Sequence, residues 1–255
     1  MFDSFLLFAC GAVGLLHVAG ILVVRSTYRF SATCNPAEIP VSKLPESVAS
    51  QIAPHIVELE QLGFTLTGCY DCGALAAQTR SYIAYFSNRS NDFANVTAMV
   101  YPRGVSSYME FSTRFSNGLA IETNTNRRLP LTPGNPAVRV FRFADICDPK
   151  ELYEMHRQLL MKYAEGLYPQ GEPQGQEIQR WVRTAENYGP RHAKIGYMVL
   201  SEDGSSYRFT WKGAFLVTSR GIWPTSLLRN LYERQTMSSE RRKLDHREIA
   251  ALQKA

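Results

Sequence analysis

Cysteine, histidine and arginine are the side chains in this 255-residue chain whose spacing could carry chemistry. Cys69 and Cys72 form a C-x-x-C around Tyr70 and Asp71. Such a pair performs thiol–disulfide chemistry when the first cysteine opens a helix whose dipole lowers its pKa, and it supplies half a zinc site when a second pair follows. Here only Gly73 to Gln78 precede the next strand-like run, and Cys34, Cys147 and His55 offer no second paired spacing. The metal reading rests on Cys69 and Cys72 alone, against coincidence in a loop, and no cofactor is expected. His156 shares a helical stretch with Glu151 and Glu154, but residues two apart on a helix do not face each other, so His156 reads as solvated. There is no G-x-S-x-G, H-E-x-x-H or P-loop. Arg127, Arg128, Arg139 and Arg142 bracket the loop LPLTPGNPA. Converging, they would hold an acidic partner or lipid headgroups; as a solvated edge they would discourage strand pairing.

Where such residues work is set by the N-terminus. Phe5 to Val24 is a twenty-residue stretch without a formal charge, roughly 30 Å as a helix, which matches a bilayer core. Only Asp3 precedes it, whereas Arg25 and Arg29 follow. By the positive-inside rule the N-terminus lies outside and the body is cytoplasmic. A signal peptide cleaved near Ala19 and Gly20 is the competing reading, opposed by an n-region without Lys or Arg. His17 falls near mid-membrane, where it must contact a cofactor or neighbouring subunit, or bond a backbone carbonyl as a neutral ring. Trp223, with Trp211, Phe215, Ile222 and Pro224 beside Lys212 and Arg220, either dips into the interface or packs as core.

Charged residues are 20% and hydrophobic ones 45%, as in a folded protein, and the net charge of +5 suits an anionic lipid face better than dedicated nucleic-acid binding. The sparse cysteines favour a reducing compartment; on the opposite side, the sequons at Asn88 and Asn95 would matter.

After the anchor (1–25), residues 26–44 read as a linker with Pro36 and Pro40. An α+β antiparallel-sheet domain follows over 45–167. Val48, Ile52, Ile56, Leu59 and Leu62 give a helix that Pro54 should kink. Six β-rich runs from Phe64 to Phe143 form a meander, with Asn117 and Gly118 the clearest hairpin turn. Met109, Phe111 and Phe115 share one face of a strand while Glu110, Ser112 and Arg114 share the other, so one side should be buried and the other wet. Asp148, Pro149 and Glu151 open a closing helix as a capping box. Residues 168–175 are a second linker, 176–236 a small helical unit, and 237–255 a charged tail expected to fray or to fold on binding.

Within that unit, Ile195 to Leu216 resembles the end of a winged-helix domain: a helix stops at glycine, a hairpin forms the wing, and a threonine-x-lysine-glycine step enters the next helix. The resemblance covers about forty residues from Gln176 and implies a wing over Tyr197 to Phe209. In nucleic-acid-binding members the preceding helix reads the major groove, which would fall to Gln179, Arg180 and Arg183. Glu202 and Asp203 in the wing would repel phosphate, so nucleic acid is an unlikely partner here. The sequence therefore reads as a single-pass, membrane-anchored, non-catalytic interaction or accessory subunit whose partners are the bilayer and other protein subunits. The alternatives are a tethered winged-helix regulator and an enzyme using Cys72 or an unrecognised pocket.

Overall fold

A computed structural model describes residues 2–76, 79–164, 166–172 and 175–252, with side chains at all of these except 2–10, 75–76, 177 and 245–252. It is α+β. Among the described residues the strands form one ten-stranded sheet in the order β8-β7-β6-β5-β4-β3-β1-β10-β9, with β2 paired to β3. The strands are β1 (Arg29–Ser31), β2 (Ala37–Glu38), β3 (Thr65–Ala76), β4 (Thr79–Ser87), β5 (Asp92–Tyr101), β6 (Gly104–Arg114), β7 (Ala120–Asn124), β8 (Val138–Arg142), β9 (Met198–Leu200) and β10 (Ser206–Phe209). The helices are α1 (Phe2–Thr27), α2 (Glu46–Gln61), α3 (Pro149–Tyr163), α4 (Glu177–Glu186), α5 (Tyr188–Lys194), α6 (Trp211–Gly221) and α7 (Thr225–Leu252).

The six runs between Phe64 and Phe143 are strands β3 to β8, and Gly118, at φ +84, makes the β6–β7 turn. The meander has one exception: β8 runs parallel to β7. The stretch between them is long enough to carry the chain back to the end where β7 began, which a tight hairpin turn cannot do. On one face α2 and α3 bury Val48, Ile52, Leu59, Leu152, Met155 and Leu159 against Phe86, Phe111, Phe115 and Ile121. Pro54 is absorbed within a single helix, since the apolar residues on both sides of it, Ile52 and Leu59, are fixed on the sheet. The Asp148 carboxylate accepts from the Lys150 amide at 2.9 Å, so the N-cap is present, while Glu151 pairs with Arg241.

Three further differences matter for the site. First, residues 26–44 are more than a tether: β1 joins β3 to β10 through Phe30↔Ala76 and Phe30↔Tyr207, because the outer edge of β3 would otherwise leave backbone groups unpaired. The sheet thus continues across the 168–175 segment into the hairpin β9–β10, which lies within it. Second, the charged tail as far as residue 252 is helical and continuous with the preceding segment in α7. Three of its residues hold it to the body: Glu240 meets Lys162 and Tyr163, Arg241 meets Asp145 at 2.9 Å, and Leu244 is buried in the main core. Third, α1 and α6 run antiparallel in contact. A Cβ on Gly20 would meet Thr218 and Ile222, while Arg25 stacks on Trp211 at 4.3 Å. Among the described residues no helix is long and apolar enough to cross a membrane. The crossing expected over 5–24 has its positions 5–10 outside the described side chains.

Gly213 shows how closely α6 abuts the hairpin. A Cβ there would be driven onto the Tyr197 carbonyl oxygen, nearer than any non-bonded approach. Gly213→Ala should cost about 1–3 kcal/mol, read as a lowered thermal midpoint. An unchanged midpoint would mean that α6 does not pack on the strand this way.

Candidate functional site

The polar side chains that face away from α2 and α3 collect on the second face of the sheet. The register sets them out in rungs. Tyr85, Asn95, Glu110, Asn124 and Arg142 stand opposite one another across β4 to β8, and Phe93, Ser112, Glu122 and Val140 form the next rung. Glu110 is clasped from both neighbouring strands: Asn95 Nδ2 donates to Oε1 and Asn124 Nδ2 to Oε2, each at 3.1 Å. Glu122 lies on the diagonal from Glu110, roughly 7–8 Å away in backbone terms. The expectation of a wet face is overturned here. α4 covers one half of the face with Ile178, Trp181 and Val182 against Cys34, Cys72, Tyr85 and Phe93, and Asn95, Ser112 and Asn124 are buried.

Burial under this cover pushes both carboxyls up. Glu110 is raised by desolvation, partly offset by its two asparagine donors. Glu122 is raised to about 8, first by desolvation and then by the neighbouring Glu110, against the pull of Arg180, Arg142 and Arg114. Tyr108, beside them on β6, is also raised by burial. All three keep some accessible surface, so they are enclosed without being sealed.

Arg180 reaches this face from α4. It is 5% exposed, its guanidinium lies 4.9 Å from the Phe93 ring centroid, and Nη2 donates to Ser112 Oγ at 3.3 Å. Its position on the buried side of α4 removes it from the groove-reading role that a winged helix would give it. Arg183 is exposed and pairs with Glu172 at 3.1 Å. The wing itself is tied into the sheet through β10 and β1.

The remaining sequence candidates are dispersed. Cys69 and Cys72 sit on a strand, where a separation of three puts them on opposite faces: Cys69 belongs to the main core and Cys72 to the cluster under α4. Burial pushes Cys69 up to about 11 and Cys72 further, the opposite of an activated thiol. Among the described residues no group of three or more His, Cys, Asp or Glu could hold a metal. Of the loop arginines, Arg128 stacks on Tyr101 at 4.3 Å, Arg139 on Tyr163 at 5.0 Å, Arg142 pairs with Glu233 at 3.1 Å, and Arg127, exposed, lines one groove with Arg142 and another with Arg128. His17 Nδ1 bonds the Val13 carbonyl at 3.0 Å. Trp223 is 62% exposed, and Trp211 and Phe215 are exposed with it, so the core-packing reading of that group fails. The sequon asparagines are occupied, Asn95 by Glu110 and Asn88 by Tyr153.

His156, read as solvated, is fully buried. Its Nε2 lies 2.9 Å from Thr113 Oγ1 and its Nδ1 2.9 Å from Thr123 Oγ1, while Thr113 donates to Asp92. With the Thr113 proton committed to Asp92, the network assigns the ring proton to Nε2 and leaves Nδ1 to accept from Thr123. Tyr153 donates to the second Asp92 oxygen at 2.7 Å. The neutral ring follows from burial, which lowers its pKa to about 4. Leu152, Met155 and Leu159 flank His156 on the helix's apolar stripe, and that spacing was the signal for its burial.

These two buried groups give opposite pH dependences. His156 must be neutral to stay folded, so its contribution is present above about 6.5 and is lost as pH falls towards 4. Glu122 holds a proton in the folded state that the unfolded chain releases near 4.5, so its contribution is lost as pH rises from there through about 8. Above pH 6.5 only the Glu122 slope remains of the two, at most about 1.4 kcal/mol per pH unit. Glu122→Gln should flatten the decline between pH 6.5 and 8 in denaturant titrations and, by removing the opposing slope, steepen the rise that His156 gives between about pH 4.5 and 6.5. Identical slopes in the two proteins would refute the assignment.

No protein-family model matches the chain, and no curated protein or solved structure matches it either.

Proposed function

We propose that the chain is a non-catalytic accessory protein held at a bilayer by α1 together with the α6–α7 corner, with its α+β body on the cytoplasmic side that Arg25 and Arg29 favour. The observation that carries this reading is the antiparallel seating of α6 on α1. Arg25 lies level with Trp211, and Gly20 lies level with Thr218 and Ile222. Passing back along α1 from Arg25 to Gly20 is about 7.5 Å, the depth at which an interfacial helix rests at the headgroup boundary. If α1 enters a bilayer below Arg25, the α6–α7 corner with Trp223 descends beside it.

The exposed side chains agree with that placement. Leu15, Leu16, Val18, Leu22 and Val23 on α1 are exposed, as are Phe215 on α6 and Leu227, Leu228, Leu231 and Tyr232 on α7. Ten exposed apolar and aromatic side chains on three helices, with α6 in contact with both α1 and α7, are more than the scattered exposure of an ordinary surface. An arginine stacked on tryptophan at its upper boundary suits the interface, where amphipathic rings and cations meet headgroups. Support for an accessory role comes from the sheet edges. α7 lies beside β8, with Glu233 on Arg142, whereas β9 ends the sheet at the other side with Val199 and Leu200 exposed. An uncovered edge strand is a site for pairing with another chain. The interior network of Asp92 and His156 is sealed and saturated with partners, which suits a role in specifying the fold.

Tryptophan quenching tests the placement. The full chain in vesicles with brominated acyl chains should show quenching that falls by half or more in Trp223→Phe, and that persists in Trp181→Phe, whose ring lies under α4. Quenching that is absent, or unaffected by Trp223→Phe, would defeat the reading.

A further inference from the structure

We propose that the second face of the sheet carries a ligand site for a small oxyanion, a carboxylate or phosphate group, seated between Arg180 and Arg114. The site is built. Arg180 is fixed on three sides, by its helix, by the Phe93 ring beneath its guanidinium and by Ser112 at Nη2. Its Nη1 is buried and has no hydrogen-bond partner among the described residues. Arg114 stands two residues beyond Ser112 on β6 and so on the same face, and its buried Nε also lacks a partner.

A buried guanidinium N–H without an acceptor is costly, and natural structures nearly always fill it. Two such donors from separate elements, turned to one face, are what an oxyanion satisfies, and arginine forks match carboxylate and phosphate geometry. The carboxyl nearest in the rungs is Glu122, directly opposite Ser112, and no hydrogen bond joins it to either arginine. While Glu122 holds its proton it can donate to the ligand without repelling it, and the other two carboxylates that act on the pair already have partners: Glu110, near Arg180, is clasped by Asn95 and Asn124, and Glu172, near Arg114, is paired with Arg183. The other nearby charges are already committed: Arg183 to Glu172 and Arg142 to Glu233. Access comes from the groove lined by Ser87, Phe93, Gly171 and Glu172, which reaches the same rung from its β4 end.

The test uses the full chain in detergent at pH 6.5, with acetate or inorganic phosphate exchanged for chloride at constant ionic strength. At an anion concentration about a hundredfold over Kd, the thermal midpoint should have risen by roughly 5 °C, climbing with the logarithm of concentration above Kd. Arg180→Gln should abolish the rise, whereas Arg103→Gln, an exposed arginine in the β5–β6 turn, should retain it. Should Arg180→Gln fail to fold, Arg114→Gln gives the same reading. A stronger response to acetate assigns a small organic carboxylate, and a stronger response to phosphate assigns a phosphorylated ligand or lipid headgroup. Absence of a shift with both anions, or the same shift in folded Arg180→Gln or Arg114→Gln, overturns the site. Membrane quenching by Trp223 is independent of either result.

Discussion

The alternation of β6 is the constraint on which both interiors depend. Met109, Phe111 and Thr113 point to α2 and α3, while Tyr108, Glu110, Ser112 and Arg114 point to the opposite face. A strand has no third direction, so a one-residue slip would exchange the two sets and put Glu110 among Phe86, Ile121 and Leu159. The neighbouring strands lock the register by chemistry as well as by shape. Asn95 and Asn124 meet Glu110 on one side of the sheet, and Asp92, Thr113, Thr123 and His156 close a hydrogen-bonded chain on the other. Each network is satisfied only in this register, so the polar groups supply specificity while the apolar ones supply most of the stability.

The two networks differ in what they leave open. Around His156 every polar group has a partner and no water reaches it. A network in that condition rigidifies the helix-to-sheet packing and has nothing left with which to do chemistry. On the second face burial raises the pKa of the carboxyls, and two guanidinium donors have no partner among the described residues. Evolution tolerates such incompleteness where a ligand or a motion completes it. That contrast, rather than any sequence motif, separates a structural cluster from a candidate site in this molecule.

The sequence made the first core legible and the second face illegible for one reason. Alternation in β4 to β7 and the 3.6-residue spacing of Leu152, Met155 and Leu159 are local, and both survive in the structure. What covers the far side of the sheet comes from α4 and from Cys34, remote in sequence, so Glu110, Ser112 and Arg114 read as solvent-facing when they are enclosed. The same distance hid the role of residues 26–44, which look like a proline-bearing linker and supply β1. It also hid the part of α7 beyond 236, whose polar surface has no apolar stripe to read, because Glu240 and Arg241 find their partners on α3 and beside it. His156 was the legible case misjudged: its spacing from Leu152 and Leu159 put it on the buried stripe.

The α1–α6 pair proposed to meet a bilayer and the face proposed to bind an oxyanion share a mechanical link through β1. That strand follows α1 directly, pairs with β10 of the hairpin that leads into α6, and touches the end of β3. Phe30 packs against Tyr188 and Phe209 at 5.2 and 5.5 Å, and Val24 shares that small core with Val217 of α6. α4, which delivers Arg180, leads into α5 and therefore into Tyr188, while Cys34, just beyond β1, is held by Glu186 of α4 at 3.1 Å. A shift of α1 and α6 would therefore be felt at the C-terminal end of α4. The helix that carries the buried arginine packs on the sheet and is tied at its C-terminal end to β1 and α5. The same packing that keeps Arg180 under cover makes its position depend on how α1 and α6 are seated.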